Sequence, residues 1–177
     1  MAEPIGGGVR IFVNINNLSP KGESTDKTYQ NWIECIDYSI GVSNQSKVTS
    51  GTTGSGAGRA SFKELRFRAP INASSATLMQ ACASGVHYGQ VQLVMVRPGG
   101  NANVAYLQIT LQNAFVTNYQ NTYGPLNPQD PSAGVGHVDE VGISYGQINF
   151  SYTQQTAQGG AGSNYVGTWN ITNNASS

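Results

Sequence analysis

Residues 62–88 read FKELRFRAPINASSATLMQACASGVHY, and two periodicities succeed one another inside them. Leu65 and Phe67 alternate with Glu64, Arg66 and Arg68, the two-residue period of a strand with one apolar face and one charged face or edge. After Pro70 the period changes. Leu78, Met79, Ala81 and Cys82 gather on one side of a helix predicted from about Ser75 to Ser84, with Ser74 or Ser75 placed to cap its first amides and Gly85 to end it. From His87 the two-residue period returns. A helix that appears once, rather than after every strand, disfavours a doubly wound parallel sheet and favours a mainly β, antiparallel architecture.

Downstream, Val91, Leu93 and Met95 share one strand face, and Gln90, Gln92, Val94 and Val96 the other. RPGGNAN (97–103) supplies a tight reversal, and Leu107, Ile109 and Leu111 alternate with Gln108, Thr110 and Gln112 in the returning strand, which together predict an antiparallel hairpin. NYQNTYGPLNPQDPSAGVGH (118–137), with three Pro and three Gly, reads as a long surface loop. In the last long strand, Val138 to about Thr153, the apolar parity slips: Val141, Ile143 and Tyr145 hold one, Ile148, Phe150 and Tyr152 the other. One face stays buried through that slip only if Gly146 and Gln147 form a bulge or bend. A short strand around Trp169 and Ile171 closes the chain.

Upstream, Val9, Ile11, Val13 and Ile15 alternate with Arg10, Phe12, Asn14 and Asn16, a first strand with a wetter second face; a breaker-rich loop follows, and then an extended segment within residues 31–42. After Val42 no apolar signal returns until Phe62; GTTGSGAG (51–58) fills the middle of that gap. The sum is seven or eight strands and one helix, best fitted by a small barrel plugged or flanked by that helix.

Composition removes several function classes. The 177 residues suit one domain, 1–177, with a self-supporting core. Nine basic and nine acidic residues cancel, so no global field recruits a polyanion, and no nucleic-acid partner is expected. Charged residues are only 10% of the chain, which removes a common guard against self-association. No apolar run approaches the ~20 residues that span a bilayer, so no membrane insertion is expected. MAEPIGGGVRIFVNI lacks the marks of a signal peptide and points to the cytoplasm. Cys35 and Cys82 show neither CxxC spacing nor a disulfide framework and read as two buried thiols.

Catalytic motifs are broken where they matter. Gly51 and Gly56 have phosphate-loop spacing, but Ala57 stands where Lys is required, and Arg59 interrupts a dinucleotide fingerprint begun by Gly54 and Gly56. Both motifs need a helix next, whose aligned amides face the anion, and a strand follows. Thr52, Thr53 and Ser55 have no nucleophile motif, and His87 and His137 are isolated. Cys82 lies on the apolar side of the helix, where a thiol is inert. Glu23, Asp26, Asp130, Asp139 and Glu140 are too scattered for a metal site, and Glu34, Asp37 and Glu64 sit among other polar strand residues. No cofactor and no catalytic site are expected. Lys63, Arg66 and Arg68 beside Phe62 and Phe67 resemble an RNA-reading sheet only superficially, because Phe67 joins Leu65 toward the core and Glu64 shares the charged side. Contact, rather than chemistry, is left for the long polar segment.

The order of these segments resembles the haemolysin-coregulated protein (Hcp) family, the secreted tube proteins of type VI secretion systems. The likeness runs from about Val9 to Asn173, is most specific over Phe62–Tyr88, and includes DEVGISYGQINFSYTQQ and the tail GTWNI. It implies an antiparallel barrel with a helix, assembled as a ring of six whose stacks form a tube inside a contractile sheath. The implied partners are other copies of the chain, the tube cap, sheath and baseplate components, and small effector proteins in the lumen. It also implies a cytoplasmic subunit exported through the apparatus without a signal peptide. The protruding loop maps to Ser43 through Gly58, with Gly51, Thr52, Thr53, Gly54, Ser55, Gly56 and Gly58 as its contact residues. Arg59, Lys63, Glu64, Arg66 and Arg68 become candidate subunit-interface charges. Residues 119–136, rich in Pro, and the glycine-bearing start 1–8 depart from the family pattern, and no toxin domain is expected after Trp169. Three other readings remain open here: a soluble binding module using the polar loops and Trp169, a small hydrolase using His87 or His137, and a tube subunit of a related contractile particle.

Overall fold

The computed structural model describes residues 8–44, 60–98 and 103–176. Eleven strands and one α-helix follow in the order β1 (Arg10–Ile15), β2 (Ile33–Cys35), β3 (Asp37–Ser39), β4 (Val42–Asn44), β5 (Ala60–Phe62), β6 (Leu65–Pro70), α1 (Ser75–Ser84), β7 (His87–Arg97), β8 (Val104–Pro125), β9 (Val135–Ser144), β10 (Gln147–Gln155) and β11 (Ala161–Asn170). A single 3-10 turn, Pro131–Ala133, precedes β9. Nine strands form one antiparallel sheet in the order β2-β1-β7-β8-β9-β6-β3, with β10 and β11 added beside β8, while among the described residues β4 and β5 pair only with each other. The strands at the two ends of that order, β2 and β3, are separated by Ile36 alone, whose N–H donates to the carbonyl of Arg68 at 2.7 Å.

The long strand β8 organises the sheet. Its first half pairs with β7 on one side and β10 on the other, and its second half, Phe115 to Pro125, pairs with β9. The handover falls where two irregular residues face each other. Asn113 takes a positive φ of 51°, and the N–H of Gly146 donates to Gln112 O at 2.9 Å. A Cβ on Gly146 would come within 3.3 Å of Asn113 Cβ, tight enough to favour glycine. The parity slip read from the sequence is therefore a bend shared by both strands.

The main core lies inside this curved sheet, with Leu65, Phe67, Leu93, Ile109, Leu111, Val141 and Ile143 at its centre and Leu78 and Ala81 of α1 packed against it. A second cluster occupies the other face of β1 and β7. Phe12, expected on a wet face, is 0% exposed because Tyr29 stacks on it at 4.7 Å between ring centroids and Trp32 packs alongside, so residues 16–32 act as a cover. Val94 and Val96 are buried with it.

The predicted helix has the observed bounds, but two of its details differ. Met79 is 49% exposed, because the buried stripe follows Ser75, Leu78 and Ala81 at spacings of three, leaving Met79 beyond its edge. Ser74 occupies the N-cap position without a side-chain cap bond. Instead, Asn72 Oδ1 accepts from both the N–H and the Oγ of Ser74, and Ser75 Oγ accepts from Asn72 N–H. Gly85 ends the helix at φ 66°, donating to Ala81 O at 3.0 Å.

The expected long loop over 119–136 is shorter. Tyr119 to Pro125 continue β8, paired in register with β9 from Tyr119↔Val141 to Pro125↔Val135, and only 126–134 form the connection. The strand read around Leu65 and Phe67 is confined to β6, because the chain is interrupted at Lys63–Glu64, with β5 leaving the main sheet and β6 joining it.

Candidate functional site

Four features concentrate the polar and exposed apolar groups that the core does not use. The first is a stem. Val42, Ser43 and Asn44 pair with Phe62, Ser61 and Ala60, so a two-stranded ribbon separate from the main sheet brackets residues 45–59. Its root is fixed by aromatic packing: the Phe62 ring lies 6.5 Å from both Tyr145 and Trp169, edge-on to the first and stacked with the second. Tyr145 Oη donates to Lys63 O at 3.0 Å, and Lys63 N–H donates to Gly41 O at 2.8 Å. Burial pushes the Tyr145 phenol up to about 12, so this donor remains protonated well above neutral pH.

The second feature is a charged strip below the stem. Arg66 bridges Glu64 at 3.2 Å and Glu140 at 3.3 Å, while Arg68 meets Asp37 at 3.2 Å. Glu64 also accepts from Thr117 Oγ1 at 2.7 Å. These partners follow from register, since Arg66 stands opposite Gly142, two residues from Glu140, and Arg68 opposite Asp37. They are exposed or half-buried pairs, each contributing on the order of 0–1 kcal/mol.

The third is a buried carboxylate. Asp139 on β9 is 1% exposed and accepts from Ser75 Oγ at the start of α1, Tyr119 Oη at 2.8 Å and Asn121 Nδ2 at 2.7 Å. Desolvation, with the bond to Asp139 next, pushes the Tyr119 phenol up to about 12. The carboxylate thus ties the helix to the β8–β9 ribbon.

The fourth is the β10–β11 hairpin. Register places Leu111, Ile148 and Trp169 in one row, Ile109, Phe150 and Gly167 in the next, and Leu107, Tyr152 and Tyr165 in a third. Each row starts in the core on β8 and runs outward: Phe150 is 41% exposed, Tyr152 39% and Tyr165 59%.

Residues 12–152 match the family model described as "Type VI secretion system effector, Hcp". The chain belongs to the Hcp family. Over 168 residues it is 34% identical to Protein hcp1 of Pseudomonas aeruginosa, spanning 94% of this chain and 97% of that one. Among solved structures it is similar in fold to a type six secretion system protein, with a TM-score of 0.82 at 21% identity, covering 96% of this chain and 100% of the other. It is also similar to Hcp1 from Salmonella typhimurium, with a TM-score of 0.70 at 24% identity and coverage of 96% and 99%. This Hcp-family chain is a structural, non-catalytic subunit of the type VI secretion tube.

Of the residues singled out in this Hcp chain, Ser43 lies in the stem, and Glu64, Arg66 and Arg68 lie in the charged strip. Lys63 joins the two and forms no ion pair among the described residues. Gly51, Thr52, Thr53, Gly54, Ser55, Gly56, Gly58 and Arg59 lie outside the described residues. His87 and His137 are not brought together: they face Phe115 and Tyr123, eight residues apart along β8, or about 26 Å at ~3.3 Å per residue. His87 packs on Phe115, and His137 shares a polar contact of 3.3 Å with Asn121. Cys35 is buried, with its thiol pushed well up by burial, and Cys82 is half-buried; both are free. Sequence reasoning missed Asp139 as a hub because its partners come from β8, β9 and α1, far apart in the chain. It also missed the outward run of Phe150, Tyr152 and Tyr165, because alternation alone does not tell where a sheet outgrows its core.

Proposed function

We propose that residues 1–177 form one barrel domain, that six copies close into a ring, and that rings stack through the arm of residues 43–58. Barrel closure rests on Ile36, which joins the two strands at the ends of the sheet order and bonds to β6 through Arg68. The observation that carries the stacking reading is the stem: Val42–Asn44 and Ala60–Phe62 leave the main sheet as a separate ribbon and bracket the Gly-, Ser- and Thr-rich residues 51–58. A ribbon rooted on Tyr145 and Trp169 has a fixed base, and the glycines beyond it allow the backbone to fit a neighbouring surface. Lys63, which forms no ion pair among the described residues, is a cation of this region offered to that neighbour, whereas Glu64, Arg66 and Arg68 exchange partners within the subunit. Subunits collect in the cytoplasm, meet the tube cap, baseplate and sheath, and leave through the apparatus with small effector proteins in the lumen.

Deletion of Ser50–Ala57 tests the arm. Rings are expected to persist while stacks disappear from negative-stain images at protein concentrations where the unmodified chain stacks. Loss of the rings themselves would place the arm at the wrong interface.

A further inference from the structure

We propose that residues 19–32 are a hinged strap that opens as one unit while the main sheet stays folded, with Arg10 as its latch and the apolar strip of Phe12, Val94 and Val96 as the surface it uncovers. This goes beyond the tube-subunit reading and does not rest on it.

The strap has two fixed ends. Leu18 is 3% exposed and Ile33 2%, and both belong to the main core, so the chain is pinned just before and just after it. Between these points it closes on itself. Ser24 N–H donates to Trp32 O at 3.1 Å, Asn31 N–H to Ser24 O at 2.8 Å and Trp32 N–H to Tyr29 O at 3.2 Å. Gly22 lies flat against the same limb, where a Cβ would collide with Trp32 O. Asp26 Oδ1 accepts from the Thr28 and Tyr29 amides, which folds the tip. Backbone groups paired within the segment stay paired when it swings as a body, so the motion strands few of them.

Its ties to the rest of the chain are few. Among the described residues, the side-chain bonds that leave the strap are Arg10 Nη1 to Asp26 at 2.7 Å and Thr77 Oγ1 to Ser19 O at 3.3 Å, the second of them exposed. The pairing of β1 with β2 covers Ile11–Val13 and Ile33–Cys35 and does not reach it. One aromatic contact holds it down, Tyr29 stacked on Phe12 at 4.7 Å between centroids. A cleft of about 170 Å³, continuous with solvent, lies between it and β1, lined in part by Asn14, Leu18, Lys21, Gly22 and Asn31.

Arg10 spans the gap between strap and sheet. Its Nε and Nη2 donate to the two carboxylate oxygens of Glu34 on β2, at 2.9 and 3.2 Å, which fixes the guanidinium and leaves Nη1 to reach Asp26. The same guanidinium lies 4.7 Å over the Phe12 ring on which Tyr29 stacks. Releasing Asp26 and Tyr29 together frees the strap, while Glu34 keeps Arg10 on the sheet. Beneath lie Phe12, 0% exposed, and Val94 and Val96, 4% each. They form a cluster separate from the main core, so uncovering them leaves that core intact. Segments with few buried apolar contacts and few external hydrogen bonds are the ones that open below the global unfolding free energy.

The test reads thiol labelling in the full chain carrying Val94→Cys and Cys82→Ala, with iodoacetamide as the probe and peptide mass as the readout. Position 94 then reports the strip under the strap, and native Cys35, buried in the main core, reports opening of the core. Each rate is divided by its rate in the urea-unfolded chain, which removes differences in thiol reactivity. Labelling at 94 is expected to outpace Cys35. Adding Asp26→Asn or Arg10→Gln is expected to speed labelling at 94 at least about fivefold, as for loss of one charge-assisted hydrogen bond, and to leave Cys35 unchanged. Equal rates at the two positions would overturn the proposal, because the strip would then open only with the whole fold. Unchanged labelling at 94 in both latch variants would overturn it too, as would labelling at 94 as fast as in the unfolded chain before any latch change. Circular dichroism checks folding, and Val96→Cys reads the same strip should Val94→Cys lose the folded spectrum.

Discussion

Asp139→Ala is the perturbation whose consequence follows most directly from the packing. It removes the acceptor of Ser75 Oγ, Tyr119 Oη and Asn121 Nδ2 at a position only 1% exposed. A buried donor left without an acceptor costs about 1–3 kcal/mol, and hydrogen bonds to a charged group lie at the upper end of that range. Ser75 is itself buried, whereas Tyr119 is half-buried and Asn121 exposed, so both regain some bonding to water. The sum for the site is then about 3–5 kcal/mol. For a chain of this size each kcal/mol lowers the melting temperature by roughly 2–4 °C, so a fall of roughly 6–20 °C is expected. Urea unfolding at one fixed protein concentration is the suitable assay, because ring formation adds stability by mass action. Tyr119→Phe alone should cost about 1 kcal/mol, and that cost should vanish on the Asp139→Ala background, where the hydroxyl has already lost its acceptor. A loss below about 1 kcal/mol for Asp139→Ala, or additive effects in the double variant, would refute the role of the carboxylate as the hub between helix and ribbon.

Alkaline and acid limbs of the stability profile supply further tests. Tyr119 and Tyr145 are both pushed up to about 12 from an ordinary value of 10.0, so the folded state holds their protons longer than the unfolded chain; their contribution is whole below pH 10 and lost as pH rises toward 12. Replacing either by Phe should flatten that limb, and an unchanged limb in the double variant would contradict the assignment. At Asp26, burial raises the pKa, but bonds from the Thr28 and Tyr29 amides and the Arg10 guanidinium outweigh it, so the carboxyl lies below its ordinary 3.8. Its stabilisation is whole above that value and is lost as pH falls through the folded pKa. Trp32 fluorescence should report loosening of the 16–32 cover in that acid range, and in Asp26→Asn the cover should already be looser at neutral pH.

Much of the fold was legible where local chemistry and tertiary packing agree. The bounds of α1 could be read because Leu78 and Ala81 give the period and Gly85 supplies the left-handed terminus. The bend at Gly146 could be read because apolar parity slips there and the residue tolerates close approach by Asn113. Elsewhere, distant partners decide. Phe12 looked solvent-facing in its strand, yet Tyr29 and Trp32 return over it from the following loop. Tyr119 to Pro125 looked like loop because Pro, Gly and Asn dominate locally, but pairing with β9 extends the strand through them.

The candidate site was legible in outline only. The polar gap between Val42 and Phe62 marked an arm, but not that Ser43 and Ser61 pair across its stem. The charges Glu64, Arg66 and Arg68 stood out as a cluster, while their intramolecular partners Glu140 and Asp37 emerge from sheet register. The hairpin shelf gave no local signal beyond strand alternation, since exposure depends on where β8 and the core end.

The most direct test of the central claim is the mass of the assembled protein in solution combined with negative-stain images of the same sample. Sixfold rings, stacking into tubes as concentration rises, are the predicted result. Monomers across the whole concentration range, with no ring in any field, would contradict it.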